Sequence, residues 1–126
     1  MLFRSLARDP ERAAAGWCDL AAARLLPWSS QAAERALATA TLVVNATPLA
    51  GGSGPVAIER LAPDAAVIDL VYGPEVTPWV QAARAAGHPA WDGLGLLVHQ
   101  ARRSLERWTG CEVPVAPLAA AVGWPR

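Results

Sequence analysis

The sequence contains no lysine, since all eleven of its basic residues are arginines. This absence excludes any lysine catalyst from the chain. Only two cysteines are present, Cys18 and Cys111, without CxxC or ligand-like spacing, so we expect two buried or semi-buried thiols in a reducing compartment. There is no charged-then-apolar leader and no 18-residue apolar run, so we expect neither a signal peptide nor a membrane helix, and a cytoplasmic location.

A surplus of basic charge is also lacking. Eleven acidic residues balance the eleven basic ones, which offers no electrostatic basis for binding nucleic acid or an anionic membrane. The six tryptophans do not alternate with basic residues, so base stacking is unsupported. Metal-ligand clusters, nucleophile–base pairs and P-loops are missing as well. The composition therefore excludes the common nucleic-acid-binding and metal-dependent classes.

What the chain has in excess is apolar surface. Hydrophobic residues make up 53% of the 126 residues and charged residues only 17%, which is high for one small domain. Much of the excess is alanine, which suits tightly packed helices. The remainder predicts that an apolar helix face, on the helix at 94–109 and the C-terminal segment, meets a missing domain, a partner or another copy of the chain.

Strands and helices alternate along the sequence. We predict the end of a strand at LFRSL, then continuous apolar strands at 41–47 and 65–72 and a very short strand at 88–91. We predict helices over 9–25, 31–38, 79–87 and 94–109, and a last one in the C-terminal tail. This order predicts an α/β fold with a parallel sheet covered by helices. The chain opens at what resembles a second strand, so the first βα unit of a doubly wound fold is expected to be absent.

Polar residues follow two of these strands. Asn45 and Thr47 stand at the carboxyl end of the first apolar strand, where open α/β sheets bind ligands, although the same residues could simply cap a loop. Tyr72 ends the second strand, either over the ligand crevice or as an anchor for its loop. Asp69, inside that strand, is predicted to tether a loop rather than to act as an acid.

The stretch DGLGLLVHQ at 92–100 places two glycines at the start of a helix. Gly93 and Gly95 form a plain turn, or they let bare backbone approach a flat ring. Gln100 lies about two helical turns beyond Gly93 on the same side, whereas His99 points about 100° away around the helix. We expect His99 to lie at a surface or interface, and His88, which follows Gly87, to be a loop residue.

FRSLAR at 3–8 brings Arg4, Ser5 and Arg8 close to a strand end. In a dinucleotide fold an acidic residue after the second strand contacts the ribose 2′-hydroxyl, whereas arginines there favour a 2′-phosphate. The alternative is a solvated pair of arginines near a helix start.

Taken in order, NATP, VIDLVY, a T-P at the next helix start, DGLGLLVHQA and WTG resemble the C-terminal half of shikimate dehydrogenase over about residues 1–110. The resemblance implies a Rossmann-like domain that binds NADP(H) in an enzyme reducing 3-dehydroshikimate to shikimate. Residues carried over to the cofactor site are Arg4, Ser5, Arg8, Asn45, Ala46, Thr47, Leu70, Gly93 and Leu96, and those carried over to the substrate are Tyr72 and Gln100. Phe3, Ala50 and Leu96 replace an asparagine, a glycine and a methionine that are usual in the family.

The family's catalytic Lys–Asp pair belongs to an N-terminal domain, and its pyrophosphate rests on a glycine-rich turn. Neither is expected in this chain. The sequence thus predicts an incomplete Rossmann-like sheet, a C-terminal fragment inactive alone. The alternative is a non-catalytic remnant that serves as a nucleotide-binding or interaction module, and the substrate could be quinate instead of shikimate.

Overall fold

The computed structural model describes residues 3–16, 23–48 and 54–126, which form two compact units. The first comprises Met1–Ala40 and Arg60–Ala62, and the second Thr41–Glu59 and Pro63–Arg126. Each contains its own parallel sheet. In the part of the chain that the structure describes, no helix combines the length and the apolar character needed to cross a membrane.

The first unit alternates strands and helices: β1 (Phe3–Ala7), α1 (Pro10–Gly16), β2 (Ala23–Pro27) and α2 (Gln31–Leu37). β1 and β2 pair in parallel, from Phe3↔Ala23 to Ala7↔Pro27. Side chains cap both helices, because Asp9 Oδ1 accepts from the Arg12 N–H (3.0 Å) and Ser30 Oγ from the Ala33 N–H (3.1 Å). The predicted capping role of Asp9 is thereby confirmed.

The helix predicted over residues 9–25 is wrong in its last part. α1 ends at Gly16, and residues 23–27 form β2; the intervening residues 17–22, including Cys18, lie outside the described residues. The alanine-rich run favours a helix locally, but pairing with β1 and burial of Leu26 against α2 outweigh that preference.

The second unit contains β3 (Leu42–Asn45), β4 (Ala66–Asp69), α3 (Pro78–Ala85), β5 (Ala90–Trp91), α4 (Leu94–Thr109) and α5 (Val115–Val122). Its strands run parallel in the order β3-β4-β5. α4 has the bounds predicted from the sequence and ends at Gly110, whose φ of 67° favours glycine. Parallel sheets flanked by helices confirm the predicted fold class.

The core of the second unit lies between α3 and the sheet. Val67, Trp79, Val80 and Ala83 are all at most 2% exposed. The Trp79 indole N–H donates to the Val56 carbonyl (2.9 Å), so its polar atom is satisfied inside the core.

Burial in this unit departs from expectation at β3. β3 was expected to be buried throughout, yet Leu42 and Val44 are 49% and 46% exposed, because strand side chains alternate and one face of β3 stays open within its own unit. His88 lies in the loop between α3 and β5, as predicted, and is buried there with its Nδ1 2.9 Å from the Ala65 carbonyl.

The turn between α4 and α5 is held by Glu106. Burial raises the pKa of this carboxyl, but the Val113 N–H and the guanidinium groups of Arg102 and Arg103 lower it more, so it lies below its usual value. Cys111 in this turn is exposed, contrary to expectation; it directly follows the left-handed Gly110 at which α4 stops.

Candidate functional site

The carboxyl ends of β3 and β4 are joined by a buried hydrogen-bond network centred on Asp69. Its Oδ1 accepts from Asn45 Nδ2 (2.9 Å) and from the Val71 N–H (3.1 Å), and its Oδ2 accepts from Thr77 Oγ1 (2.8 Å). Asp69 is 1% exposed and Asn45 3%. Asp69 therefore tethers the strand ends and the start of α3, which confirms the predicted structural role.

Asn45 also shapes the loop that follows β3. Its Oδ1 accepts from the Thr47 N–H (2.9 Å) and from Thr47 Oγ1 (2.7 Å), an Asx turn that closes the chain over two residues. Both polar atoms of the Asn45 side chain are engaged within the protein. Asn45 thus fixes the start of the loop, in which Ala46 is exposed to solvent.

Gly93 brings α4 close to the end of β4. Its N–H donates to the Val71 carbonyl (3.2 Å), and a Cβ placed on Gly93 would overlap the Leu70 carbonyl and lie 3.1 Å from the Tyr72 ring. The close approach requires glycine here. The structure therefore gathers Leu70, Tyr72 and Gly93 beside the strand end held by Asn45.

Gly95 faces a flat ring that belongs to the protein itself. A Cβ on Gly95 would lie 2.8 Å from Nε1 of Trp124. The same indole lies against the His99 ring, with ring centroids 5.5 Å apart and planes at 82°. Close backbone–ring packing is thus found at Gly95, and His99 is an exposed residue, as predicted.

Hydrogen bonds of Asp92 and Arg126 connect the start of α4 to the C-terminal residue and to the loop after Tyr72. Asp92 Oδ1 accepts from the Leu94 N–H (3.1 Å), and its Oδ2 accepts from Arg126 Nη2 (2.7 Å). Arg126 also donates to the carbonyls of Gly73 (2.8 Å) and Pro74 (2.6 Å), in the loop after Tyr72. Sequence reasoning missed Arg126, because a C-terminal arginine carries no local signal of contacts 34 to 53 residues away.

The residues assigned to substrate contact are open to solvent. Tyr72 is 49% exposed and Gln100 is also exposed. Leu96, 54% exposed, lies four residues before Gln100 and therefore on the same face of α4. Ala50, predicted in the loop after β3, lies outside the described residues.

In the first unit the predicted phosphate-binding residues are separated along β1. Arg4 and Ser5 lie within the strand, paired with Arg24 and Leu25, and only Arg8 follows its carboxyl end. Arg12, in the first turn of α1, supplies a second exposed guanidinium near this strand end. The strand predicted at LFRSL is therefore confirmed, and of the three residues carried over from the family only Arg8 follows it.

No group of three or more metal-ligating side chains occurs among residues 3–16, 23–48 and 54–126.

Comparison with known proteins identifies the family. The sequence profile of the shikimate 5′-dehydrogenase C-terminal domain matches residues 93–122. The shikimate dehydrogenase (NADP(+)) of Acidiphilium cryptum is 44% identical over 106 residues, which cover 82% of this chain and 37% of that protein. The chain thus spans little more than a third of the length of this relative.

Solved structures agree with the sequence comparison. Shikimate 5-dehydrogenase from Thermus thermophilus, in complex with NADP(H) and shikimate, superimposes with a TM-score of 0.77 at 28% identity, covering 95% of this chain and 44% of that one. Quinate dehydrogenase from Corynebacterium glutamicum, in complex with NAD, superimposes with a TM-score of 0.79 at 29% identity, covering 94% and 45%. The chain belongs to the shikimate dehydrogenase family and corresponds to its C-terminal, Rossmann-like part.

Proposed function

We propose that this chain is the NADP(H)-binding part of a shikimate dehydrogenase, an enzyme that reduces 3-dehydroshikimate to shikimate. The observation that carries the proposal is the buried Asn45–Asp69–Thr77 network, which fixes the carboxyl ends of β3 and β4. Ligands of open parallel sheets bind at this edge. When bound, NADPH supplies the hydride; the residues of this chain hold and orient it.

The second unit provides the nicotinamide end of the proposed site. Ala46 and Thr47, in the loop after β3, are proposed cofactor contacts. Leu70 at the end of β4 and Gly93 at the start of α4 are proposed to contact the cofactor through their backbone. Tyr72 and Gln100, both exposed polar side chains, are the proposed substrate contacts. A hydroxyl and an amide suit a polyhydroxylated acid, so either shikimate or quinate fits these two residues.

The first unit provides the proposed phosphate contact. Arg8 is exposed just beyond the carboxyl end of β1, and a guanidinium binds phosphate through two parallel charge-assisted hydrogen bonds. We therefore assign the 2′-phosphate of NADP to Arg8. Arg4 and Ser5 lie inside β1, so we assign them to the strand and not to the 2′-phosphate.

Catalysis by this chain alone is not part of the proposal. The proton donor of the family is a lysine, and the sequence contains none. The chain would supply cofactor binding to a complete enzyme, which we place in the cytoplasm. A non-catalytic remnant that retains only nucleotide binding is the alternative, and both versions require the cofactor site.

Calorimetric titration of the chain with NADP⁺ and NAD⁺ tests the cofactor site. We expect NADP⁺ to bind more tightly, and Arg8→Gln to weaken NADP⁺ about 10- to 100-fold while leaving NAD⁺ little changed, because only NADP⁺ carries the 2′-phosphate. Arg107→Gln, which removes an equally exposed charge from α4, is the control. Equal loss for both cofactors, or no binding in a folded sample, would contradict the proposal.

We also propose that the chain self-associates through the exposed apolar face of α4. Trp108 is 79% exposed, so most of its large apolar ring is available to pack against a second copy of the chain. We expect light scattering after size exclusion to show a mass above that of one chain. Trp108→Gln should shift the mass towards the monomer, whereas Arg107→Gln should not; an unchanged mass in Trp108→Gln would count against this face.

A further inference from the structure

The guanidinium of Arg126 binds groups from two separate stretches of the second unit. Its Nε and Nη2 donate to Asp92 Oδ2 (3.1 and 2.7 Å), two residues before α4. Nη1 donates to the Pro74 carbonyl (2.6 Å), and Nη2 donates also to the carbonyls of Gly73 (2.8 Å) and Glu75 (3.3 Å). One side chain thus joins the start of α4 to the loop that follows β4.

Two partners of Arg126 are sequence neighbours of residues in the proposed site. Gly73 directly follows Tyr72, the proposed substrate contact. Asp92 directly precedes Gly93, whose backbone is proposed to contact the nicotinamide. Because consecutive Cα atoms are joined by a planar peptide about 3.8 Å long, a residue held in place restricts the next one. Arg126 therefore restrains the two positions at which nicotinamide and substrate are proposed to meet.

The ion pair between Arg126 and Asp92 is largely shielded from water. The Asp92 side chain is 5% exposed and that of Arg126 is 20% exposed, and charge-assisted hydrogen bonds are strong in such surroundings. Arg126 is itself held, since its carbonyl accepts from Arg84 Nη2 (3.1 Å). Two residues earlier, Trp124 packs on Gly95. The guanidinium is therefore a fixed anchor for its partners.

The loop after Tyr72 has few other restraints where Arg126 binds it. In the described part of the chain, no backbone N–H donates to the carbonyls of Gly73, Pro74 or Glu75. Pro74 and Glu75 are also exposed. A loop with exposed residues and no regular hydrogen bonds opens at low cost in free energy. The hydrogen bonds from Arg126 therefore decide how firmly this loop is held.

We propose that Arg126 is a positioning residue for the reaction, which sets the separation of Tyr72 and Gly93. The two already lie side by side, because Cδ1 of the Tyr72 ring is 3.1 Å from the position that a Gly93 Cβ would take. Hydride transfer requires donor and acceptor to be held close together, and small displacements of the groups that orient them slow it strongly. Arg126 touches neither cofactor nor substrate in this role.

Calorimetric titration with NADP⁺ and with adenosine 2′,5′-bisphosphate separates this role from a general one. The bisphosphate carries the adenosine and the 2′-phosphate of NADP⁺ but no nicotinamide. We expect Arg126→Gln to weaken NADP⁺ about tenfold and to leave the bisphosphate unchanged, because only the nicotinamide end of the site moves. Arg8→Gln should weaken both ligands, and Arg107→Gln, which removes an exposed charge from α4, should weaken neither.

The lysine variant tests whether the charge and the shape of the guanidinium both matter. Arg126→Lys should bind NADP⁺ more tightly than Arg126→Gln but more weakly than the original chain. An ammonium group keeps the charge opposite Asp92, but it lacks the planar fork that reaches three carbonyls as well. Equal loss in the lysine and glutamine variants would overturn the part assigned to the ion pair.

Hydrogen exchange of the backbone amides tests the same contacts without cofactor. The Gly93 N–H donates to the Val71 carbonyl (3.2 Å), so its exchange reports whether the start of α4 stays on the loop. In Arg126→Gln we expect this amide and those of residues 71–77 to exchange about tenfold faster. Amides paired between β3 and β4 should keep their rates, which shows that the fold is intact. Unchanged exchange at Gly93 would overturn the inference.

The inference rests on the proposed function, but the two fail in different ways. An original chain that binds neither NADP⁺ nor the bisphosphate would refute the proposed function and this role with it. If the original chain and Arg126→Gln bound NADP⁺ equally well, only the role of Arg126 would be refuted. Equal weakening of NADP⁺ and the bisphosphate in Arg126→Gln would also refute it, because Arg126 would then support the fold as a whole.

Discussion

Replacing Asp69 with alanine is expected to lower the free energy of unfolding by about 3–5 kcal/mol, the combined effect of leaving several buried donors without an acceptor. Asn45 Nδ2, Thr77 Oγ1 and the Val71 N–H all donate to the two carboxylate oxygens. Asp69 is 1% exposed, so water cannot easily replace it. The carboxyl ends of β3 and β4 would separate, and NADP⁺ binding would be lost with them.

Urea unfolding followed by tryptophan fluorescence measures this change. Asp64→Ala is the matched control, because Asp64 is an exposed carboxylate in the turn before β4 with no hydrogen bond or ion pair to the described residues. We expect its midpoint to stay close to that of the original chain. Thr77→Val removes one donor together with the side-chain cap of α3, and should lower the free energy of unfolding by about 2–3 kcal/mol, less than Asp69→Ala. A similar midpoint for Asp69→Ala and Asp64→Ala would contradict the role of the network.

The elements that were predicted correctly are those with strong local signals. α4 has a clear apolar periodicity and a glycine immediately after its last turn, and both are local properties. β2 was missed because the alanines before it suit a helix, and only pairing with β1 makes residues 23–27 a strand. The open face of β3 was missed for the same reason, since an apolar strand looks alike whether one or both of its faces are covered.

Some residues of the candidate site could likewise be predicted from local sequence, and others could not. Asn45, Tyr72 and Gly93 could be predicted, because position at a strand end or a helix start is readable along the chain. The ion pair between Arg126 and Asp92 and the packing of Trp124 on Gly95 could not be predicted, since each joins residues about 30 positions apart. Predicting them requires knowing how the C-terminal tail crosses α4.

Gly93→Ala is the second change with a large expected effect. The added Cβ would overlap the Leu70 carbonyl, which is backbone and cannot rotate away, so we expect the free energy of unfolding to fall by about 2–3 kcal/mol. The start of α4 and the end of β4 would move apart, and displacement of their backbone should weaken NADP⁺ binding about tenfold or more. Urea unfolding and calorimetric titration measure the two effects separately.

Gly73→Ala is the control for this change, because it lies in the same unit, its backbone suits any residue, and its added Cβ would lie 3.9 Å from the Glu75 carbonyl oxygen, an ordinary contact. It should leave both the unfolding midpoint and NADP⁺ binding close to those of the original chain. If Gly93→Ala unfolded like Gly73→Ala but lost NADP⁺ binding, bare backbone at Gly93 would serve the ligand alone. If it lost stability and kept its affinity, Gly93 would serve packing alone. We expect both to fall together, since the carbonyl that excludes the Cβ lies at the strand end proposed to hold the nicotinamide.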